Sequence, residues 1–567
     1  MTPPESRSRA LTNAQIIQAA LVVLLGFLAS GVLGVVRTAV FSAQFGAGVE
    51  LDAFYAAQRI PEVLFTLVAG GALGSSFIPV FARFLAADDD DGAWRLASAV
   101  MTLSALAALL LAIVGILLAP LLVSTVIFPG RPPDQQVLVT SLTRLMLVTT
   151  VIFAVSGLLM GILNAHQRFV FPALALSMNN IGLIVGALVI APALDPRPDQ
   201  IGAANVYGLA WGAILGAGLH LLVQLPGLVA IRARLRPLAD WRVAGVREVL
   251  TLMGPRVLGL SVVQINFVVN LAFASTMIAG SIAVFQTAWG LMFFVLGIIA
   301  QSMGTAVFPT LSALAARNDM DGYRERLSSA MRSVLFLAFP ASVGLIVLGT
   351  PVIGMLYERG AWTHEDTLGT AWALGFLALG IAGHGLLEVL SRAFYALSDT
   401  WTPVRIGIAA MVTNIILSVT FIQFMGDPDS LARGPFAGLA LANSLTTLLE
   451  AVVLWHLLRK RVDGVDNAYV LHGASRALIA ALGMGAVVWG SRLLLADLSV
   501  VIQAAAGAGV GVVVFFGLAA LLRLDEVRLL TRRFLPTRRA RITQPARIIS
   551  KLYPKFGIYR LIWEIIP

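Results

Sequence analysis

Stretches of about twenty apolar residues recur along almost the whole chain, and this recurrence restricts the fold more than any other feature. Hydrocarbon offers no partner to backbone N–H and C=O groups, so each stretch is predicted to be a helix. Composition agrees: 58% of the 567 residues are hydrophobic and 12% are charged, with a mean hydropathy of +0.87. A water-soluble fold has no use for so much apolar surface. The fold class that follows is all-α and integral to the membrane.

About fourteen spans are predicted, near residues 15–36, 51–82, 96–128, 138–163, 171–194, 203–231 and 246–278, then 281–313, 329–356, 367–395, 403–425, 435–458, 474–494 and 499–522. Arginines set the orientation. The even-numbered connections carry Arg83, Arg95, Arg168, Arg232, Arg234, Arg236, Arg242 and Arg247, and continue with Arg317, Arg324, Arg326, Arg332, Arg392, Arg405, Arg459, Lys460 and Arg461. The odd ones hold only Arg131, Arg197, Arg359, Arg433 and Arg492. By the positive-inside rule both termini are predicted to be cytoplasmic, as an even span count also requires. The net charge of +10 is therefore read as orientation, not as a nucleic-acid footprint.

Residues 1–14 are short and polar, and the first apolar stretch has no small-residue cleavage site, so no removable leader is predicted. The tail, 523–567, is basic, with Arg532, Arg533, Arg538, Arg539, Arg541, Arg547, Lys551 and Lys555. Apolar residues and Trp563 interleave with them, which suits either a segment on the anionic leaflet or a solvated tail. Asp88 to Asp91 reads as a solvated loop. With no cysteine, disulfides and thiol chemistry are excluded, and six scattered histidines without i, i+4 pairing argue against a metal site. No Walker loop, Gly-rich nucleotide turn or soluble domain is present, so no enzyme and no cofactor is predicted.

An internal repeat adds to this. Gly74, Pro79, Asp91-Gly92, Ser98 and Met101 reappear as Gly304, Pro309, Asp321-Gly322, Ser328 and Met331, all at one offset of 230 positions. Six predicted spans separate the copies, so the repeat is parallel. Two six-helix lobes, 15–231 and 232–458, are a transporter architecture with cargo bound between them. The two spans in 459–522 lie outside the repeat.

Charges at membrane depth mark functional positions by default. Arg37 ends the first span; Asp52, Arg59 and Glu62 open the second, where Pro61 is expected to interrupt the helix. Arg256 follows the helix-breaking Gly254-Pro255, and His384, Glu388 and Arg392 share one face of the tenth span at i, i+4, i+8. Arginine's planar fork suits phosphate, which makes Arg37, Asp52, Arg59, Arg256, Glu388 and Arg392 candidate binding residues. Against that stand interfacial snorkelling for Arg37, Asp52 and Arg59, and an internal ion pair for the others. Glu62 suits a pair with Arg59, and His220, Glu450 and His456 read as helix-end residues. Asn266, Asn270, Asn414 and Ser418 offer oxygens to a coupling sodium ion, or glue between helices; a proton is the other coupling ion considered.

The sequence also resembles the MurJ (MviN) family of the multidrug/oligosaccharidyl-lipid/polysaccharide exporter superfamily. The resemblance rests on Gly31-Val-Leu-Gly-Val-Val-Arg37, Phe45-Gly-Ala-Gly48, Asp52-Ala-Phe54, Arg59-Ile-Pro61 and Gly71-Ala-Leu-Gly-Ser-Ser-Phe-Ile-Pro79. Gly161-Ile-Leu-Asn164, Met253-Gly-Pro255, Phe308-Pro309, Tyr357-Glu-Arg-Gly360 and Asp399 to Pro403 extend it over about the first 460 residues. It implies a flippase for lipid II working by alternating access in a bacterial inner membrane. Membrane lipids would be its partners, with cell-wall synthesis proteins as further ones. It also implies a lipid-tail groove in the last two spans, and matches Arg37 and Asp52 to the family's cavity arginine and acid. Positions that usually carry charge in the family are Gly31, Phe65, Gly70, Gly290 and Phe293 here, so the cavity is expected to be poorer in charge. An ion-coupled small-molecule exporter and a non-transporting cell-wall scaffold are the alternatives.

Overall fold

The computed structural model describes residues 13–68, 71–195 and 205–527, and those residues contain helices and turns but no strand. In chain order the first half comprises α1 (Asn13–Phe45), α2 (Val49–Val68), α3 (Gly71–Ala86), α4 (Asp90–Leu122), α5 (Pro133–Met146), α6 (Val148–Ala165), α7 (Val170–Val185), a short α8 (Ala191–Ala193), α9 (Tyr207–Leu222) and α10 (Leu225–Ala230). The second half continues with α11 (Val246–Ser275), α12 (Ser281–Leu296), α13 (Ser302–Ala316), α14 (Met320–Tyr357), α15 (His364–Leu379), α16 (Ile381–Ala396), α17 (Trp401–Phe424) and α18 (Phe436–Arg461). The last two are α19 (Asn467–Leu494) and α20 (Val500–Leu521). Widened π turns at Val123–Ile127, Gly186–Ile190 and Gly297–Gln301 extend α4 and α7 and join α12 to α13.

Among the described residues, eleven helical segments are long and apolar enough to cross a membrane, and thirteen if each of two bent pairs is one span. One bend, of 50°, follows Gly254, where the sequence places a helix breaker; the other, of 44°, separates α15 from α16. The predicted second span is α2 and α3, on either side of residues 69 and 70. Pro61 does not interrupt α2, which runs through it to Val68. Gly70, the loop charge Arg197 and the basic tail from residue 528 lie outside the described residues.

Local chemistry explains the helix starts. Asp88 (φ 53°) and Asn318 (φ 57°) turn the chain through left-handed conformations, 230 positions apart. The next residues, Asp89 and Asp319, cap α4 and α14 by accepting from the backbone N–H of Gly92 and Gly322. Asp88 to Asp91 is solvated, as read, but it is not only a loop: Asp89 caps α4, which begins at Asp90, and Asp91 accepts from Arg234 at 3.3 Å.

Packing follows residue size. Gly182 and Gly186 on α7 lie against Gly212 and Gly216 on α9; a Cβ on Gly182 would fall 2.2 Å from the Gly216 backbone. Small residues are what allow membrane helices to approach this closely. α19 and α20 dock on α14, where Phe336, Met484 and Phe515 form a separate apolar cluster. The buried Arg332 of α14 seals its end, donating to Glu526 at 2.6 Å and Asp525 at 3.1 Å while facing the Tyr469 ring. Leu117, Leu494 and Val513 stand exposed on the outer helix faces, as lipid contact requires.

Candidate functional site

The two halves meet at one end through main-chain contacts. The end of α1 reaches the loop after α14, where the Ala361 N–H donates to the Ala43 carbonyl at 2.8 Å. Gly46 (φ 61°), Gly280 (φ 89°) and Gly360 (φ 62°) turn at this seam. A Cβ on any of them would fall within 2.5 Å of a carbonyl oxygen from the opposite half.

Asp52 completes the seam. It is fully buried, and its carboxylate accepts from the Gly280 and Ala283 N–H groups, both at 2.8 Å, at the start of α12. Arg131 donates to Asp52 at 3.1 Å and to the Ile278 carbonyl at 3.0 Å. A carboxylate at a helix N-terminus satisfies orphan donors and the positive end of the helix dipole. Asp52 therefore ties α2 to α12, with both carboxylate oxygens engaged in this conformation. The sequence counts Arg131 only as a stray loop charge; a partner 79 positions away leaves no local trace. All these segments belong to odd-numbered connections, gathered at one end of the molecule.

Inward of the seam, Arg37 donates to the Asn180 Oδ1 at 3.2 Å and lies over Phe41. Asn180 is held in turn by donating to the Ser30 carbonyl at 3.1 Å. Arg59 is 6% exposed, pairs with Glu62 at 3.2 Å, as its sequence spacing suggests, and faces the Phe267 ring on α11. The Nε atoms of both arginines are buried without a hydrogen-bond partner among the described residues. Snorkelling to water does not describe Arg59, which is enclosed.

The positions at which the resemblance implies charge are filled differently. The Phe294 ring lies against Gly31. Phe267, Phe285 and Phe293 pack around Trp289, whose ring also meets His384 edge-on. Phe65 packs on Phe153, and the space beside Gly290 is open. Charge returns on neighbouring helices: Arg392 pairs with Glu388 next to Gly304, and Arg256 donates to the Ser76 hydroxyl at 3.0 Å. His384 bonds Asn443 at 3.1 Å, so the three residues of the α16 stripe do not form one cluster.

His220 lies in the last turn of α9, as read, but Glu450 does not lie at a helix end. His220 is buried beside Ser156 (2.5 Å), and Gln224 donates to that same hydroxyl at 2.7 Å. Glu450 lies well inside α18, while His456 is near its end. The polar group proposed for sodium is brought together between α11 and α17. There the Asn270 amide donates to Asn266 Oδ1 at 2.6 Å and Asn414 Oδ1 at 3.5 Å, and Ser418 is buried beside no partner. Asn266 and Asn414 turn their oxygens to the Asn270 amide, an interhelical bond in the second case, while Asn270 Oδ1 and the Ser418 hydroxyl are buried without a hydrogen-bond partner among the described residues.

Comparison with known proteins follows the same line. A family model described as "Lipid II flippase MurJ" matches residues 41–508. The "Lipid II flippase MurJ" of Burkholderia cenocepacia is 32% identical over 449 residues, covering 78% of this chain and 84% of its own. The "Probable lipid II flippase MurJ" of Vibrio cholerae is 31% identical over 489 residues, covering 84% and 89%. A solved lipid II flippase MurJ in an inward closed conformation superposes with a TM-score of 0.71 at 25% identity, covering 90% of this chain and all of that one. An inward-facing multidrug transporter of the MATE family shares the fold, with a TM-score of 0.61 at 17% identity, covering 78% and 94%.

Proposed function

Because the chain belongs to the lipid II flippase MurJ family, we propose that it carries lipid II, a lipid-linked peptidoglycan precursor, from the cytoplasmic to the outer leaflet of a bacterial inner membrane by alternating access. The arginine-rich connections and both termini face the cytoplasm in this reading, and the Asp52 seam closes the outer end. Cargo then enters from the cytoplasmic side, and opening the seam releases it outward.

One observation carries the site: Arg37 and Arg59 hold guanidinium groups inside the molecule with donors left over. A buried unpaired donor is costly, and a pyrophosphate supplies several acceptors at once. Arg392 and Arg256, nearer the cytoplasmic end, would receive the head group first. The aromatic wall around Trp289 replaces charge with apolar surface beside it. α19 and α20, docked on α14, are where the lipid tail would lie.

The test is rescue of a host depleted of its own lipid II flippase. Wild type rescues growth, Arg37→Ala and Arg59→Ala lower it at least tenfold at matched membrane levels, and Arg37→Lys falls between, because lysine is a point charge without the planar fork. Full rescue by the double alanine variant overturns the site. Failure of wild type to rescue overturns the cargo and favours the small-molecule exporter.

A further inference from the structure

We propose that Glu450 is a proton-binding site in the second half, taking up and giving back one proton in each transport cycle; this rests on the transport reading above. Glu450 stands fourteen residues after Phe436 and eleven before Arg461 on α18, about 21 Å and 16 Å along the helix axis. It is therefore deep in a span, not at its end. Among the described residues it makes no hydrogen bond and no ion pair, whereas Arg59–Glu62 and Arg392–Glu388 are paired.

Its surroundings are mapped by the elements that pack on α18. On α17, Gly407 faces it, with space for the carboxylate where a Cβ would lie 3.5 Å from Oε1; Arg405, two residues earlier, is exposed. On α16, Tyr395 lies within electrostatic reach of Glu388, Arg392 and Glu450 together. Those two charges satisfy each other, and His384 is bonded to Asn443. On α15 the titratable residues His364, Glu365 and Asp366 are confined to its first turn, and α12 has none. On α18 itself, Thr446 sits one turn away with a buried, unpartnered hydroxyl, and His456 and Arg459 follow only toward the end.

An ionised carboxylate with no counter-charge is expensive at this depth, and a protonated one is not. A metal cation would need several converging oxygens; a proton needs one. The step is balanced simply. A water-borne proton bonds to a Glu450 oxygen, the neutral acid moves with its helix, and the same O–H bond breaks to return the proton to water on the other side. The Arg392–Glu388 pair in the same neighbourhood links this to cargo. When a pyrophosphate takes Arg392, Glu388 loses its partner and the local field turns more negative, which favours a proton on Glu450.

The experiment uses the full chain in proteoliposomes with fluorescent lipid II and an imposed pH gradient, acidic on the side from which cargo enters, because cargo and proton bind together. Wild type should flip several-fold faster with the gradient than without, Glu450→Gln should flip at one rate in both, and Glu450→Asp should keep the response. Infrared spectra of the same proteins across pH provide a readout independent of flipping: a carboxylic C=O band present in wild type and missing in Glu450→Gln. A gradient response in Glu450→Gln equal to wild type overturns the proposal, as does the absence of that band. Flipping by wild type with no gradient response overturns the proton site and spares the flippase reading. No flipping by wild type, with the band present, does the reverse.

Discussion

Asp52 holds two backbone donors and one guanidinium with two oxygens, so a change of one atom separates charge from shape. In Asp52→Asn a single oxygen remains, and the new NH2 must face either the Ala283 N–H or both the Gly280 N–H and Arg131. Each charged hydrogen bond lost at a buried site is worth roughly 1.5–3 kcal/mol. The closed seam should therefore lose about a tenfold to hundredfold preference over the open one. Maleimide labelling of a lone cysteine at Ala43, simple because the chain has none of its own, should speed up accordingly. Unchanged labelling would mean that Asp52 does not hold the halves together. The residue scale is also where the sequence was least legible. Arg37 and Arg59 stood out as charges at membrane depth, but the partners of Asp52 lie 228 and 231 positions away. Glu450 passed as a helix-end residue because Arg459 to Arg461 lie in the next turns.

Helices were far easier to read, because hydropathy is a local sum that needs no distant partner. Each predicted span has helical counterparts, although α1 and α14 each overrun theirs by nine residues and eleven to thirteen segments, not fourteen, qualify as spans among the described residues; the breaker at Gly254-Pro255 bends α11 as read. Pro61 misled: it lies in the interior of α2, where a proline removes one backbone hydrogen bond and can bend a helix without ending it. The close pairing of α7 and α9 gives an element-scale prediction. In Gly182→Leu a branched side chain would occupy the Gly216 backbone, and overpacking of this kind costs about 1–3 kcal/mol or more. Because Asn180 on the same helix holds Arg37, cargo affinity should fall together with the melting temperature. Gly218→Ala on α9, where nothing lies within 4 Å of an added Cβ, is the matched control and should melt with wild type. Equal melting of both variants would show that the glycine contact carries no weight.

At the scale of the whole molecule, alternating access demands that the halves part where they now touch. The Ala361 N–H to Ala43 carbonyl bond sets the two backbones at the separation a disulfide spans. Ala43→Cys with Ala361→Cys should cross-link on oxidation, stop flipping, and recover on reduction. Continued flipping by the fully cross-linked protein would rule out parting at this seam. The make-up of that seam also bears on how the protein could be inhibited. In the proposed orientation it lies at the outer end, where Gly360 is exposed to a compound that never enters the cell while Gly46 and Gly280 are buried. A ligand stapled across it through backbone hydrogen bonds would read groups that no codon change removes. Mutations that add side chains at Gly46, Gly280 or Gly360 to expel the drug would collide with the opposite half, so escape and activity would be opposed at the same three positions.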